Sequence, residues 1–132
     1  MSRDPRSPST WLAYAKSDLA IARFPAVPPV RLENLCFHAQ QAAEKAIKAV
    51  LIRFGVEPPR MHDIRGLIER LPADVPQPAA LRASALLTDY AVLTRYPWRG
   101  EPTSEEEYRE ALRLADTVVA WADKVTAGQA DA

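Results

Sequence analysis

Proline placement sets the first limits on how this chain can fold. All 12 prolines fall outside the segments in which apolar residues recur every three or four positions. A proline inside a helix removes a backbone donor and clashes with the preceding turn, at a cost of about 3 kcal/mol. The prolines therefore divide the chain into helical segments and short connections. No segment shows the alternating pattern of a half-buried strand, so we expect an all-α protein.

Five helical segments are predicted between the proline-rich connections. They run from about 10 to 24, 30 to 54, 63 to 71, 79 to 95 and 104 to 127. Gly55 is expected to end the second segment in a left-handed conformation, and Gly66 weakens the third by about 1 kcal/mol. Because the connections are short, neighbouring helices should run antiparallel, which favours a five-helix up-and-down antiparallel bundle.

The chain is expected to form one helical domain with short polar ends. The bundle should occupy residues 10–126, with a disordered segment at 1–9 and a loose tail at 127–132. The single Cys36 excludes an intramolecular disulfide and fits a reducing compartment. No apolar run reaches the roughly 18 residues that a membrane span requires, and no secretory signal is visible. We therefore expect a cytoplasmic protein without membrane contact.

Charge limits the kind of nucleic-acid contact that this chain can make. Lysine plus arginine and aspartate plus glutamate number 17 each, so the net charge is zero. Proteins that coat long nucleic acids usually carry a clear basic excess, so any contact with nucleotide or RNA should be local. His38 and His62 lie on different segments, Cys36 lies on the apolar face of its helix, and no glycine-rich loop follows a strand. We therefore predict neither a metal site nor a cofactor.

The second helical segment carries a polar stripe that the fold does not require. At about 100° per residue, six polar residues share one side of this helix. They are Arg31, Asn34, His38, Gln41, Lys45 and Lys48. A row of imidazole, amide and ammonium groups suits a bound anion or a partner helix. The alternative is structural: His38 would bond to a neighbouring helix, the lysines would be solvated, and Glu44 would pair with Lys48 at i, i+4 spacing.

A second cluster of arginine and aromatic residues ends the fourth helical segment. It consists of Asp89, Tyr90, Arg95, Tyr96, Trp98 and Arg99. Arginine planes alternating with aromatic rings suit stacking on bases or packing at a protein interface. Alternatively, the rings close the bundle core while the arginines interact with the helix C-terminus. This alternative explains Tyr90 better than it explains the run from Arg95 to Arg99.

Four motifs in order along the chain carry a family resemblance. They are WLAYAKSDL at 11–19, FHAQQAAEKAIKA at 37–49, HDIRGL at 62–67, and DY followed by RYP within 89–97. With these motifs, residues 10–125 resemble the HEPN domain family (higher eukaryote and prokaryote nucleotide-binding) in its small prokaryotic form. The resemblance implies a five-helix bundle that forms a homodimer. It also implies a co-encoded minimal nucleotidyltransferase as partner, often in a toxin–antitoxin pair.

The chain departs from the catalytic members of that family at one position. Those members are metal-independent ribonucleases in which a histidine follows an arginine by four to six residues. No histidine follows Arg95 here, so the resemblance favours a non-catalytic domain that binds nucleotide or RNA, or the nucleotidyltransferase. The predicted binding residues are His38, Gln41, Lys45, Lys48, Asp89, Arg95, Tyr96, Trp98 and Arg99. No catalytic residue is predicted.

The predicted mechanism is recognition in a groove between the second and fourth helices. The ammonium and guanidinium groups would contact phosphate, His38 and Gln41 would form hydrogen bonds, and Tyr96 or Trp98 would stack. This requires His38 and Arg95 to face one crevice. Two alternatives stay open: a ribonuclease that uses His38 with Arg31, or with Arg95 across a dimer, and a purely structural dimerisation module.

Overall fold

The computed structural model describes residues 7–88 and 102–127, and those residues fold as helices with short connections. The helices are α1 Pro8–Ala22, α2 Leu32–Arg53, α3 Ile64–Ile68, α4 Ala79–Ala83 and α5 Glu105–Ala127. Within these two ranges there is no strand, so the expected all-α bundle of five helices is confirmed. No helix in the described part combines the length and apolar character needed to cross a membrane.

Helix α2 lies at the centre of the bundle and packs along both α1 and α5. Its central alanines are fully buried, and they are Ala39, Ala42, Ala43, Ala46 and Ala49. Because alanine ends at Cβ, neighbouring helices can approach α2 closely. Larger buried side chains fill the remaining space, including Ile47 and Leu51 of α2 with Leu114 and Val118 of α5. The central part of α2 is therefore held between α1 and α5.

Helix α1 starts two residues earlier than the sequence pattern predicts. Ser7 caps it, since its Oγ accepts a hydrogen bond from the backbone N–H of Ser9 at 3.2 Å. Pro8 then occupies the first helical position, where a missing N–H is harmless. The predicted start at Thr10 was wrong because proline was placed outside the helix. Gly55 has a φ of 80° just beyond α2, which confirms the expected left-handed terminator.

The continuous fourth helix predicted over 79–95 was wrong within the described residues. Helix α4 ends at Ala83, a turn follows at 84–85, and residues 86–88 are helical again. The Ser84 hydroxyl donates to the carbonyl of Leu81, a competition with the backbone ladder that is typical of serine. After this break, Thr88 Oγ1 accepts a hydrogen bond from the backbone N–H of Ile64 at 3.0 Å, at the start of α3.

Helix α3 is shorter than predicted and lies against a methionine. Asp63 caps it as expected, accepting from the backbone N–H of Arg65 at 3.3 Å, but it ends at Ile68 rather than Leu71. A Cβ added at Gly66 would lie 2.7 Å from the sulfur of Met61. The glycine that weakens this helix therefore permits the close approach of the Met61 side chain.

Helix α5 begins with the predicted capping box and secures two other parts of the chain. Ser104 Oγ accepts from the Glu107 backbone N–H at 3.0 Å, and the Ser104 N–H donates back to the Glu107 carboxylate at 2.8 Å. The Tyr108 hydroxyl donates to the carbonyl of Ala22 at the end of α1. Near the other end, Trp121 Nε1 donates to the carbonyl of Pro76 at 2.8 Å. The long helix thus fixes the end of α1 and the connection before α4.

Candidate functional site on the α1–α2 face

Asp18 organises the first polar cluster where α1 and α2 meet. This residue is only 8% exposed. Its Oδ1 lies 2.9 Å from Nδ1 of His38, and its Oδ2 lies 2.7 Å from Nζ of Lys45. Because a carboxylate only accepts hydrogen bonds, Nδ1 of His38 carries the proton. This leaves Nε2 as the ring nitrogen that a bound group can reach, and the His38 side chain is 32% exposed.

Glu44 organises a second cluster further along α2. It is 2% exposed, and its Oε2 accepts from Nζ of Lys48 and from Nδ1 of His62, both at 2.9 Å. Its Oε1 accepts from Nε2 of Gln40 at 3.1 Å. Since His62 lies on the connection before α3, this cluster ties that connection to the centre of the bundle. The His62 side chain itself is largely exposed.

The Asp18 and Glu44 clusters have the same composition. Each has a buried carboxylate that holds one lysine and one histidine through Nδ1. An unpaired charge in such a position would be strongly destabilising, so Lys45 and Lys48 are the necessary counter-ions of Asp18 and Glu44. The pairing of Glu44 with Lys48 expected from the sequence is present. His38 also has the bond to a neighbouring helix that the structural alternative describes.

Two aromatic rings of α1 lie beside these lysines. Nζ of Lys48 lies 5.4 Å from the ring centroid of Trp11, and Nζ of Lys45 lies 5.8 Å from that of Tyr14. The Tyr14 ring is exposed. Sequence reasoning did not select these rings or Asp18 as site residues. The signal was their spacing, because positions 11, 14 and 18 share one side of a helix.

A groove of about 750 Å³ lies where the start of α1 meets the end of α2 and the loop at 55–60. Its lining includes Trp11, Lys48, Ile52, Glu57, Pro59 and Arg60. A smaller depression, lined by Thr10, Trp11, Tyr14 and Lys45, adjoins it. The groove combines an aromatic wall, apolar contacts and polar groups of both signs. Its size falls in the range of small-molecule sites, roughly 300–1,000 Å³.

The remaining residues of the polar stripe do not all join this site. Nε2 of Gln41 donates to Oε1 of Gln40 at 2.9 Å, next to the Glu44 cluster. Arg31 is exposed and donates to Glu33 at 3.3 Å, at the opposite end of α2. At about 1.5 Å per residue, Arg31 lies about 25 Å from the level of Lys48. The stripe therefore spans too great a length for one small ligand.

Neither thiol chemistry nor a metal site is supported within the described residues. Burial raises the pKa of the Cys36 thiol to about 12, with the carboxylates of Glu33 and Glu107 contributing. Such a thiol is a poor nucleophile, in agreement with its position on the apolar face. Among residues 7–88 and 102–127, no three His, Cys, Asp or Glu side chains are grouped so that they could hold a metal ion.

The predicted cluster of arginine and aromatic residues at the end of the fourth helical segment lies outside the described residues. Its members are Asp89, Tyr90, Arg95, Tyr96, Trp98 and Arg99. The shared crevice of His38 and Arg95 therefore stays a prediction.

Comparison with known proteins supports the family resemblance. Residues 9–125 match the family model described as HEPN domain. The fold is similar to that of TT1696 from Thermus thermophilus, with a TM-score of 0.78 and 32% identity over 94% of this chain and 98% of the other. It is also similar to ST0689, an archaeal HEPN homologue, with a TM-score of 0.71 and 28% identity over 91% and 98% of the two chains. No curated protein sequence matches the chain.

Proposed function

Because this chain belongs to the HEPN domain family, we propose that it is a non-catalytic recognition domain that binds nucleotide or RNA on its α1–α2 face. It would act with a co-encoded minimal nucleotidyltransferase in a toxin–antitoxin-type system. The observation that carries the proposal is the Asp18 cluster. Asp18 holds both His38 and Lys45, and Nζ of Lys45 lies 5.8 Å from the centroid of the exposed Tyr14 ring. This face therefore carries a hydrogen-bonding group, a cation and a stacking surface.

The chemistry of this cluster suits one or two nucleotides of a single strand. Lys45 retains two N–H groups after its bond to Asp18, and these can donate to phosphate oxygens. Nε2 of His38 can accept a hydrogen bond from a base or a ribose hydroxyl. The Tyr14 ring can stack on a base, an interaction of about 1–3 kcal/mol in single-strand binding proteins. Because Asp18 already orders His38 and Lys45, little conformational entropy is lost on binding.

Equilibrium binding of a short single-stranded RNA, followed by fluorescence anisotropy, tests this proposal. We expect His38→Gln and Tyr14→Leu each to weaken binding roughly tenfold, since 1.4 kcal/mol corresponds to a factor of ten. Lys16→Gln is the control, because Lys16 also lies on α1 but pairs with Asp123, at 3.1 Å, and does not belong to the Asp18 cluster. Equal affinities for all variants and the wild type would remove the site.

A metal-independent ribonuclease is the second candidate, favoured by the hydrogen bond between Asp18 and His38. A carboxylate on Nδ1 orients an imidazole for proton transfer at Nε2. Nε2 would remove the proton of a ribose 2′-hydroxyl, whose oxygen then attacks the adjacent phosphorus while the 5′-oxygen leaves with a proton from water. RNA incubated with the protein and a metal chelator decides this. Cleavage that disappears in His38→Ala would establish catalysis and overturn the recognition proposal.

The assembly state is a separate part of the proposal. We propose a homodimer that associates with the nucleotidyltransferase. Light scattering at several protein concentrations, alone and with the product of an adjacent nucleotidyltransferase gene, measures both associations. A monomer at every concentration and an unchanged mass in the mixture would contradict this part, while leaving the RNA-binding test unaffected.

A further inference from the structure

We infer that the groove between Trp11 and Arg60 is a binding site for a guanine base, presented as a nucleoside or at a chain end. This site goes beyond the proposed function, since it uses neither His38 nor Tyr14. The inference starts from the groove's volume of about 750 Å³. A purine nucleoside fits such a space.

The walls of the groove favour a flat ring. Trp11 lines one side, while Ile52, Val56 and the prolines at 58 and 59 supply apolar contacts. An indole ring together with aliphatic groups is a good environment for a planar heterocycle, because it offers stacking and apolar contacts. The depression between α3 and α4, lined by Arg65, Glu69 and Arg82, has a volume of about 320 Å³ and no aromatic residue in its lining.

The charges on the groove favour a neutral ligand that both donates and accepts hydrogen bonds. Lys48 is neutralised by Glu44, yet two of its N–H groups remain available. Glu57 and Arg60 are both exposed and line the groove. Within the described residues neither forms an ion pair. The site therefore has a balanced charge, with the Glu57 carboxylate as acceptor and guanidinium or ammonium groups as donors, and a lone phosphate would meet repulsion from Glu57.

Guanine is the common base whose edges match this combination. Its N1–H and N2–H₂ groups form an adjacent pair of donors that a carboxylate such as Glu57 accepts. Its O6 and N7 form an adjacent pair of acceptors that arginine or lysine satisfies, here Arg60 or Lys48. Adenine has no such pair of adjacent donors, so a site that relies on Glu57 should reject it.

Lys48 is the fixed part of the site. Its side chain is only 8% exposed, and its ammonium group is held by Glu44 at 2.9 Å and lies over the ring of Trp11. A buried and restrained donor that lines a groove loses little freedom when a ligand binds. This restraint also places the donor next to the ring on which the base would stack.

Isothermal titration of the full chain with guanosine, with adenosine as comparator, tests the inference. We expect guanosine to bind in preference to adenosine, with an affinity that is insensitive to salt because the ligand is uncharged. Glu57→Gln should weaken guanosine binding roughly tenfold and leave adenosine unchanged. Arg60→Ala should also weaken guanosine binding. Both variants lie on an exposed loop and should fold, which circular dichroism checks.

Glu69→Gln and Arg82→Ala are the matched controls, because these exposed residues line the depression that lacks an aromatic wall. Both controls should bind guanosine like the wild type. Absence of guanosine binding, equal binding of adenosine, or unchanged affinity in Glu57→Gln would each overturn the inference. Because the RNA assay depends on His38 and Tyr14, loss of guanosine binding with intact RNA binding contradicts this site alone, and the reverse result contradicts only the proposed function.

Discussion

Replacing Glu44 by leucine should lower the free energy of unfolding by about 3 kcal/mol. The substitution leaves the Lys48 ammonium, whose side chain is 8% exposed, without its carboxylate. Removing one partner of a buried ion pair generally costs about 3–5 kcal/mol. We expect the lower end of that range, because Lys48 lines the groove and water can reach part of it. Gln40 keeps a second acceptor, the carbonyl of His62 at 3.3 Å.

The double variant Glu44→Leu with Lys48→Met should be more stable than Glu44→Leu alone. With both charges gone, no uncompensated charge remains at this position, and apolar replacements of buried pairs are often close to neutral. Lys48→Met alone should cost about 2 kcal/mol, since Glu44 retains His62 and Gln40 as donors. The two changes should therefore be strongly non-additive.

Urea denaturation of the wild type, the two single variants and the double variant at neutral pH measures this double-mutant cycle. An unchanged m-value is the check on two-state unfolding. The loss for Glu44→Leu corresponds to a fall in melting temperature of roughly 10 °C. Lys16→Met is the control, because both side chains of its pair with Asp123 are about half exposed and such pairs contribute only about 0–1 kcal/mol. A double variant whose loss equals the sum of the single losses would refute the reasoning.

Three further outcomes follow from the structure. Native protein should resist iodoacetamide at Cys36 while urea-unfolded protein reacts, since burial raises the pKa of this thiol to about 12; equal labelling rates would contradict its burial. Gly55→Ala should lower the free energy of unfolding by about 1 kcal/mol, because Gly55 has a φ of 80° that residues with a Cβ disfavour. Gly66→Ala is the comparison, since its added Cβ would instead force the Met61 side chain to move. Burial raises the pKa of Glu33, but hydrogen bonds led by the Thr103 N–H outweigh it and lower the pKa below 4.5. Because the pKa of Glu33 is lower in the folded than in the unfolded protein, its ionised side chain stabilises the fold at pH values above 4.5. Glu33→Gln should therefore be less stable than the wild type in urea titrations at neutral pH. This difference in stability should be lost as the pH falls through the lowered pKa of Glu33.

Most helices and several of their ends could be predicted from the residues nearest to them. Prolines separated the helical segments, Ser104 and Glu107 formed the predicted capping box, and Gly55 ended α2. These features depend on bonds between residues close in the chain, and so local chemistry is sufficient to predict them. The start of α1 and the break at Ser84 were missed, because a proline can begin a helix and a serine hydroxyl can interrupt one.

The composition of the candidate site, in contrast, depends on how the helices pack. Periodicity placed His38, Lys45 and Lys48 on one side of α2, but it carried no information about which residues of α1 would face them. Only the packing of α1 along α2 brings Asp18 to His38 and Lys45, and only the path of the connection before α3 brings His62 to Glu44. Pairings between distant segments depend on helix crossing and rotation, which the hydrophobic core sets through the whole bundle. The lysines of the polar stripe are therefore neutralised by the buried carboxylates of Asp18 and Glu44, beside the groove lined by Trp11.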